Sequence, residues 1–171
     1  IIAAKNANCK KVFAFEPIPK TFDILKKNIF LNGVDSKSVI LKKAIDEEIL
    51  VKKIYFNPNH SGTASLIHNN NSDTCSEAIN IECVDYNFLN DIFSDIRGKI
   101  FIKIDVEGYE LIVMQQIFKT KISSSIFAVF YEVDKRWVED SEIRGFLKKF
   151  GFSNFHKIGD NNIHYDVLAF K

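Results

Sequence analysis

The most constraining feature of this chain is a set of short, nearly unbroken apolar runs that each end on an acid. Val12-Phe13-Ala14-Phe15 leads into Glu16, Lys99-Ile100-Phe101-Ile102-Lys103-Ile104 into Asp105, and Ile126-Phe127-Ala128-Val129-Phe130-Tyr131 into Glu132. Runs this short and this apolar read as strands buried on both faces, as in a parallel sheet. Between them, apolar residues recur at helical spacing: Phe22, Leu25 and Ile29, then Leu111, Met114 and Phe118, then Ile143, Phe146, Leu147 and Phe150. Alternating strands and helices predict an α/β fold on an open, mostly parallel sheet.

Local signals fill in the rest. Ile1 to Asn6 reads as the end of a helix. Pro17 and Pro19 end the first strand and pre-set φ for the helix that follows, and Asn32-Gly33 stops that helix. Ser38 to Ala44 is a strand, and Leu50 to Phe56 is a strand or hairpin arm. Residues 57 to 77 are polar and read as a long loop, a length that usually signals either function or disorder. Ile79 to Val84 is a short strand placed at an edge. Asp85 is positioned to cap a helix carrying Phe88, Leu89, Ile92 and Phe93. Phe152 to Lys157 and Ile163 to Phe170 flank a Gly159-Asp160-Asn161-Asn162 turn, which predicts an antiparallel C-terminal hairpin. The 171 residues suit one domain over 1–171.

Composition excludes several classes of function. Apolar residues make up 46% of the chain and 16 are Phe, which is incompatible with a disordered segment. Lys plus Arg is 23 against 22 Asp plus Glu, so there is no broad basic footprint for nucleic acid. No apolar run approaches the ~18 residues of a membrane span. Cys9, Cys75 and Cys83 form no Cys-x-x-Cys pair, and free thiols in a reducing cytoplasm are the expectation. The four His (60, 68, 156 and 164) lack metal-ligand spacing, so no structural zinc is expected and no metal ligand is assigned, while an oxygen-rich divalent-ion site among the carboxylates stays open.

Ligands of open α/β sheets bind beyond the C-terminal ends of the strands. The candidates are therefore Glu16, Ala44-Ile45-Asp46, Asp105 with Glu107, and Glu132 with Asp134. Parallel strands would gather these acids around one crevice. A carboxylate at Glu16 suits the vicinal hydroxyls of a ribose, and equally suits a solvated acid or a cap for the helix at Pro17. Asp105 suits a cationic ligand group, a general base or a helix cap, with Glu107 in the first turn of the helix. Glu132 and Asp134 share a strand face and suit a base, a metal or plain solvation. His60, beside Ser61 and Gly62 in the long loop, is placed to cover the crevice.

Taken together, Val12-Phe13-Ala14-Phe15-Glu16-Pro17, the helix Phe22…Leu25…Asn28…Asn32-Gly33, and Phe101-Ile102-Lys103-Ile104-Asp105-Val106-Glu107-Gly108-Tyr109-Glu110 resemble the FkbM-type methyltransferases. These form a branch of the class I S-adenosylmethionine-dependent enzymes. Ser61-Gly62-Thr63-Ala64-Ser65-Leu66 and Tyr131-Glu132-Val133 also fit. The resemblance implies a Rossmann-like methyltransferase sheet and S-adenosylmethionine as cofactor. It implies that Glu16, with Pro17, takes the ribose hydroxyls, that Ala44 and Asp46 lie near the adenine, and that Asp105 lies near the methionine part or the acceptor. A sugar or small-metabolite hydroxyl is the implied acceptor. Asp105 and Glu132 are then the catalytic candidates, and His60 and Glu107 lie on the acceptor side.

The family opens this domain with a strand and a Gly-rich turn, and Ile1-Ile2-Ala3-Ala4 resembles the end of the helix that follows them. An N-terminally truncated domain lacking its first strand is therefore expected, with weakened cofactor binding. The rival readings are a nicotinamide-dependent oxidoreductase and a non-catalytic nucleotide-fold scaffold.

Overall fold

A computed structural model describes residues 1–57, 60–65 and 77–171. Helix α1 (Ile2–Lys5) precedes strand β1 (Val12–Phe15) and helix α2 (Pro19–Leu31). Pro19 stands in the first turn of α2, where its missing N–H costs nothing, and Asn32 with Gly33 at φ 61° ends the helix. Strand β2 (Ser38–Leu41) follows a 3-10 turn and pairs in parallel with β1. The expected strand from Ser38 to Ala44 is thus two strands. The second, β3 (Ala44–Ile45), joins a different sheet.

That sheet also holds β4 (Leu50–Asn57), β5 (His60–Ser65) and β6 (Glu77–Val84), in the order β3-β6-β4-β5. Two expectations are corrected here. β6 is interior, parallel to β3 on one side and antiparallel to β4 on the other. Part of the polar stretch read as loop is strand, since β5 pairs antiparallel with β4. Backbone pairing decides a strand, and the Ser, Gly and Thr of β5 carry no apolar alternation to announce it. Leu66 to Ser76, including His68 and Cys75, lie outside the described residues.

Helix α3 (Tyr86–Ile92) is capped as expected: Asp85 accepts the N–H groups of Asn87 and Phe88 at 3.0 and 3.1 Å. Strand β7 (Ile100–Ile104), helix α4 (Glu110–Phe118), strand β8 (Ile126–Asp134), helix α5 (Asp140–Lys148), and strands β9 (Asn154–Ile158) and β10 (His164–Phe170) complete the chain. They form a sheet ordered β7-β8-β10-β9, with β7 parallel to β8 and β10 antiparallel to both β8 and β9. The C-terminal hairpin is therefore present.

The fold is mixed α/β, and its pairings do not favour the parallel sense. Among the described residues three strand pairs are parallel (β1-β2, β3-β6, β7-β8) and four are antiparallel. Apolar periodicity reports burial and is blind to strand direction, so it could not foresee this balance.

The main core gathers Leu89, Ile104, Met114, Ile126, Val129, Tyr131, Ile143, Leu147, Phe152 and Val167 from the β7-β8-β10-β9 sheet, from α3, α4 and α5, and from the segments beside them. Phe118 packs its ring against Phe146, Phe150 and Phe152, fixing α4 beside α5. Phe13 of β1 meets Phe93 edge-on at 5.1 Å, which docks the two-stranded sheet onto the same core. Smaller clusters lie under β3-β6-β4 (Ala44, Ile54, Ile81, Cys83) and under α2 (Ala4, Ile29, Val34). No described helix is long and apolar enough to cross a membrane.

Candidate active site

Because β7 and β8 run in parallel with Ile104 opposite Tyr131, Asp105 and Glu132 lie at the same end of the pair, but only Asp105 is past its strand: β8 runs on to Asp134 along β10, so Glu132 lies within the strand and not after it as expected. Among the described residues, the turn after β7 holds the one non-glycine residue with positive φ. Glu107 holds φ at 52° and Gly108 at 95°. A side chain in the left-handed region costs roughly 1–2 kcal/mol, so something must hold Glu107 there. The Glu110 carboxylate does. Its Oε1 accepts the N–H groups of Val106 at 3.3 Å and Gly108 at 3.2 Å, closing the turn over the start of α4. Glu110 is 2% exposed, and burial raises its pKa against the pull of those N–H groups. Its Oε2 is buried without a hydrogen-bond partner among the described residues.

Helix α4 starts only at Glu110, so Glu107 stands in the preceding turn and not in the first helical turn as expected. The reason is Gly108, whose positive φ delays the helix. Burial raises the pKa of the half-buried Glu107 carboxyl, and Glu132, Asp105, Glu110 and Asp134 add to the rise. These five acids therefore share one electrostatic neighbourhood. Asp105 does not cap α4. It pairs with Lys103 two residues back at 2.5 Å, and both side chains are about half exposed.

Glu132 is mostly buried and meets His164 of β10, with 2.5 Å between Oε1 and Nε2. The Glu132 contact raises the His164 pKa. Asp134 is clasped by Arg136, which donates from Nε to both carboxylate oxygens at 3.0 and 2.9 Å and from its backbone N–H at 2.9 Å. Arg136 holds the Asp134 carboxyl below its ordinary value. Behind this pair, Asp140 accepts the Tyr131 hydroxyl at 2.9 Å and the Tyr165 hydroxyl at 3.2 Å.

Asp46 takes a different place from the open crevice position. It is 1% exposed and forms an ion pair with Lys52 of β4. Its Oδ1 accepts the Tyr109 hydroxyl at 2.9 Å and the Glu47 N–H at 2.7 Å, and Lys52 donates to the same Tyr109 oxygen at 3.1 Å. Oδ2 has the Lys52 ammonium as its ionic partner, without an aligned hydrogen bond. Burial alone would raise the Asp46 pKa, and the contacts with Lys52, Glu47 and Tyr109 outweigh it and hold the carboxyl below its ordinary value. Cys83 lies nearby, its thiol pushed up to about 11 by burial and by Asp46. Asp46 is thus a buried tie between β3, β4 and the turn ahead of α4.

The remaining candidates are spread more widely. Glu16 follows β1, and its Oε1 accepts the Ile18 N–H at 2.8 Å across Pro17. Burial raises its pKa against that bond. Ala44 is buried in the small cluster with Ile54, Ile81 and Cys83. His60 opens β5, and its side chain lies outside what is described. The structure therefore groups Asp105, Glu107, Glu132 and Asp134, and adds Glu110, His164 and Arg136. Asp46 is drawn into a separate buried pair, and the Glu16 carboxylate is engaged by its own turn. Among the described residues, no group of three or more His, Cys, Asp or Glu is arranged to hold a metal ion.

The family model described as Methyltransferase FkbM domain matches residues 1–153. The chain belongs to the FkbM methyltransferase family. The turn that Glu110 closes over Glu107 and Gly108 lies inside the matched FkbM region, whereas β9 and β10 lie beyond it. No curated protein and no solved structure matches the chain.

Proposed function

We propose that this FkbM domain transfers a methyl group from S-adenosylmethionine to a hydroxyl oxygen of a sugar or other small metabolite, on a Rossmann-like sheet in the cytoplasm. One observation carries the reading: in a chain of this family, Asp105, Glu107 and Glu110 follow β7 at the end of the parallel β7-β8 pair where β8 carries Glu132. The donor set fits the group. Carboxylates suit a sulfonium and an ammonium, and the Asp105 carboxylate is about half exposed there.

When bound, the donor supplies a methyl carbon already electrophilic on its sulfonium. The chain has to hold, align and desolvate, and to manage one proton. Glu16 would take the ribose hydroxyls, with Pro17 fixing the turn that presents it. The backbone from Ala44 to Asp46 would flank the adenine, since both side chains are buried. Asp105 would hold the ammonium, its half-exposed carboxylate standing just past β7. Glu107 and His60 would face the acceptor, and Glu132 belongs to the end of the site where the acceptor's proton leaves.

The family match argues against a nicotinamide-dependent oxidoreductase. Isothermal titration of the full-length protein with S-adenosylmethionine tests the proposal. Micromolar binding is expected, weakened at least about 10-fold by Glu16→Gln, because charge-assisted bonds to vicinal hydroxyls are strong. Absence of binding by the folded wild type overturns it.

A further inference from the structure

We infer that His164 is the group that takes the proton of the acceptor hydroxyl, with Glu132 as the positioning residue that holds its ring. This deepens the hydroxyl-methylation reading above and rests on it. His164 lies outside the matched residues 1–153, so the family match assigns it nothing.

The pairing comes from sheet register. β10 runs antiparallel to β8 with His164 opposite Asp134, so Glu132, two residues back on β8, lies on the same face as His164. The Asn161 side chain accepts the N–H groups of Ile163 and His164 at 2.8 and 3.3 Å, which fixes where β10 begins. At 2.5 Å from Glu132 Oε1, His164 Nε2 faces a group that only accepts hydrogen bonds when ionised. Nε2 therefore carries the hydrogen, and the neutral ring keeps its lone pair on Nδ1. The His164 side chain is 52% exposed while Glu132 is 17% exposed, so the ring and not the carboxylate meets an incoming molecule.

The neighbouring acids are less suited to the task. Asp105 is paired with Lys103 and Asp134 with Arg136, and Glu110 is sealed in its turn. An imidazole also titrates nearer neutral pH than a carboxylate, where a base works best.

In the step, the acceptor O–H bond breaks and an N–H bond forms at Nδ1. The electron pair stays on the acceptor oxygen. The new imidazolium charge is offset by Glu132 and Asp134 of β8 and by Glu107 from the turn after β7, acids that Arg136 shares through its pairing with Asp134. The proton then passes to water and the ring returns to neutral.

The test has two readouts on the full-length protein. By ¹⁵N NMR of the ring, neutral His164 should be the Nε2–H form, and Glu132→Gln should lower its titration midpoint. A neutral ring protonated on Nδ1 overturns the inference. In the second, release of S-adenosylhomocysteine is followed against pH with S-adenosylmethionine and a panel of free sugars and methyl glycosides. The wild-type rate should rise through the His164 midpoint. His164→Gln and His164→Asn should lower kcat by at least about 100-fold with donor affinity retained, as expected for loss of a positioned base. Glu132→Gln should shift the profile to lower pH, and Glu132→Asp should restore it in part. An unchanged kcat and profile in both His164 variants removes the base and leaves methyl transfer standing. A wild type that binds donor and methylates no hydroxyl overturns the acceptor reading, and this inference falls with it.

Discussion

At the scale of single residues, the turn from Val106 to Tyr109 concentrates the tension between stability and function. Glu107 keeps a left-handed backbone that glycine would adopt freely. Glu107→Gly should therefore be more stable than Glu107→Ala by about 1 kcal/mol, since both lose the carboxyl and only alanine keeps the strain. Urea unfolding of the two variants measures it. Glu110 makes the complementary case. Burial already favours its neutral form, and glutamine keeps a carbonyl for the Val106 and Gly108 N–H groups. Glu110→Gln should cost under about 1 kcal/mol, whereas Glu110→Ala, which strands both donors, should cost about 2–3 kcal/mol. Equal losses in the two variants would show that the closed turn is not what Glu110 supplies.

At the scale of elements, the tie of Asp46, Lys52 and Tyr109 joins β3, β4 and the turn before α4. Lys52→Met leaves the Asp46 carboxylate buried and unpaired. The loss should be about 2–3 kcal/mol, below the ~3–5 kcal/mol of a wholly buried pair because Lys52 is 35% exposed. The pH dependence has a definite sign. The Asp46 pKa is held below its ordinary 3.8, so the pair's contribution is complete above that value and fades as pH falls through the lower folded-state value. The stability gap between wild type and Lys52→Met should accordingly narrow below about pH 4. A gap that stays constant to pH 2 would mean that Lys52 acts through packing alone.

What was legible in the sequence follows the same division. Elements announced by local chemistry were readable: Pro19 opening α2, Asp85 capping α3, Asn32-Gly33 stopping α2, and the turn at Gly159 that folds back the last two strands. Elements set by distant partners were not. β5 has no apolar alternation, and β6 is interior only because β3 and β4 flank it. At the site, Asp105 and Glu132 were visible as acids after apolar runs. His164 was not, because its partner is 32 residues away and the register of β10 on β8 has no local signature. Lys52 escaped for a similar reason, as a lysine on an alternating strand reads as a solvated face until Asp46 is buried beneath it.

At the scale of the whole molecule, stability is unevenly spread. β8 and β10 lie in the large core, where Val129, Tyr131, Val133, Val167 and Ala169 have no exposed surface. The β1-β2 pair reaches that core through Phe13 and Phe15 alone, its other face and α2 rest on a much smaller cluster, and α2 leaves Ile24, Phe30 and Leu31 at 51%, 76% and 77% exposure. Native-state hydrogen exchange should find the β8 and β10 amides opening only with global unfolding. Those of β1, β2 and α2 should open several-fold more often, at a lower free energy. Uniform protection across both sheets would contradict this.

The Tyr109 hydroxyl has a mechanical consequence. It is the single atom shared by a cation on β4 and an anion behind β3, and it is rooted one residue past Gly108. Sliding β4 along its neighbours would have to pull the Lys52 ammonium off a sealed carboxylate or drag the aromatic ring with it. The strand bearing Lys52 and the bend bearing Glu107 are geared together, and the tooth between them is one phenol.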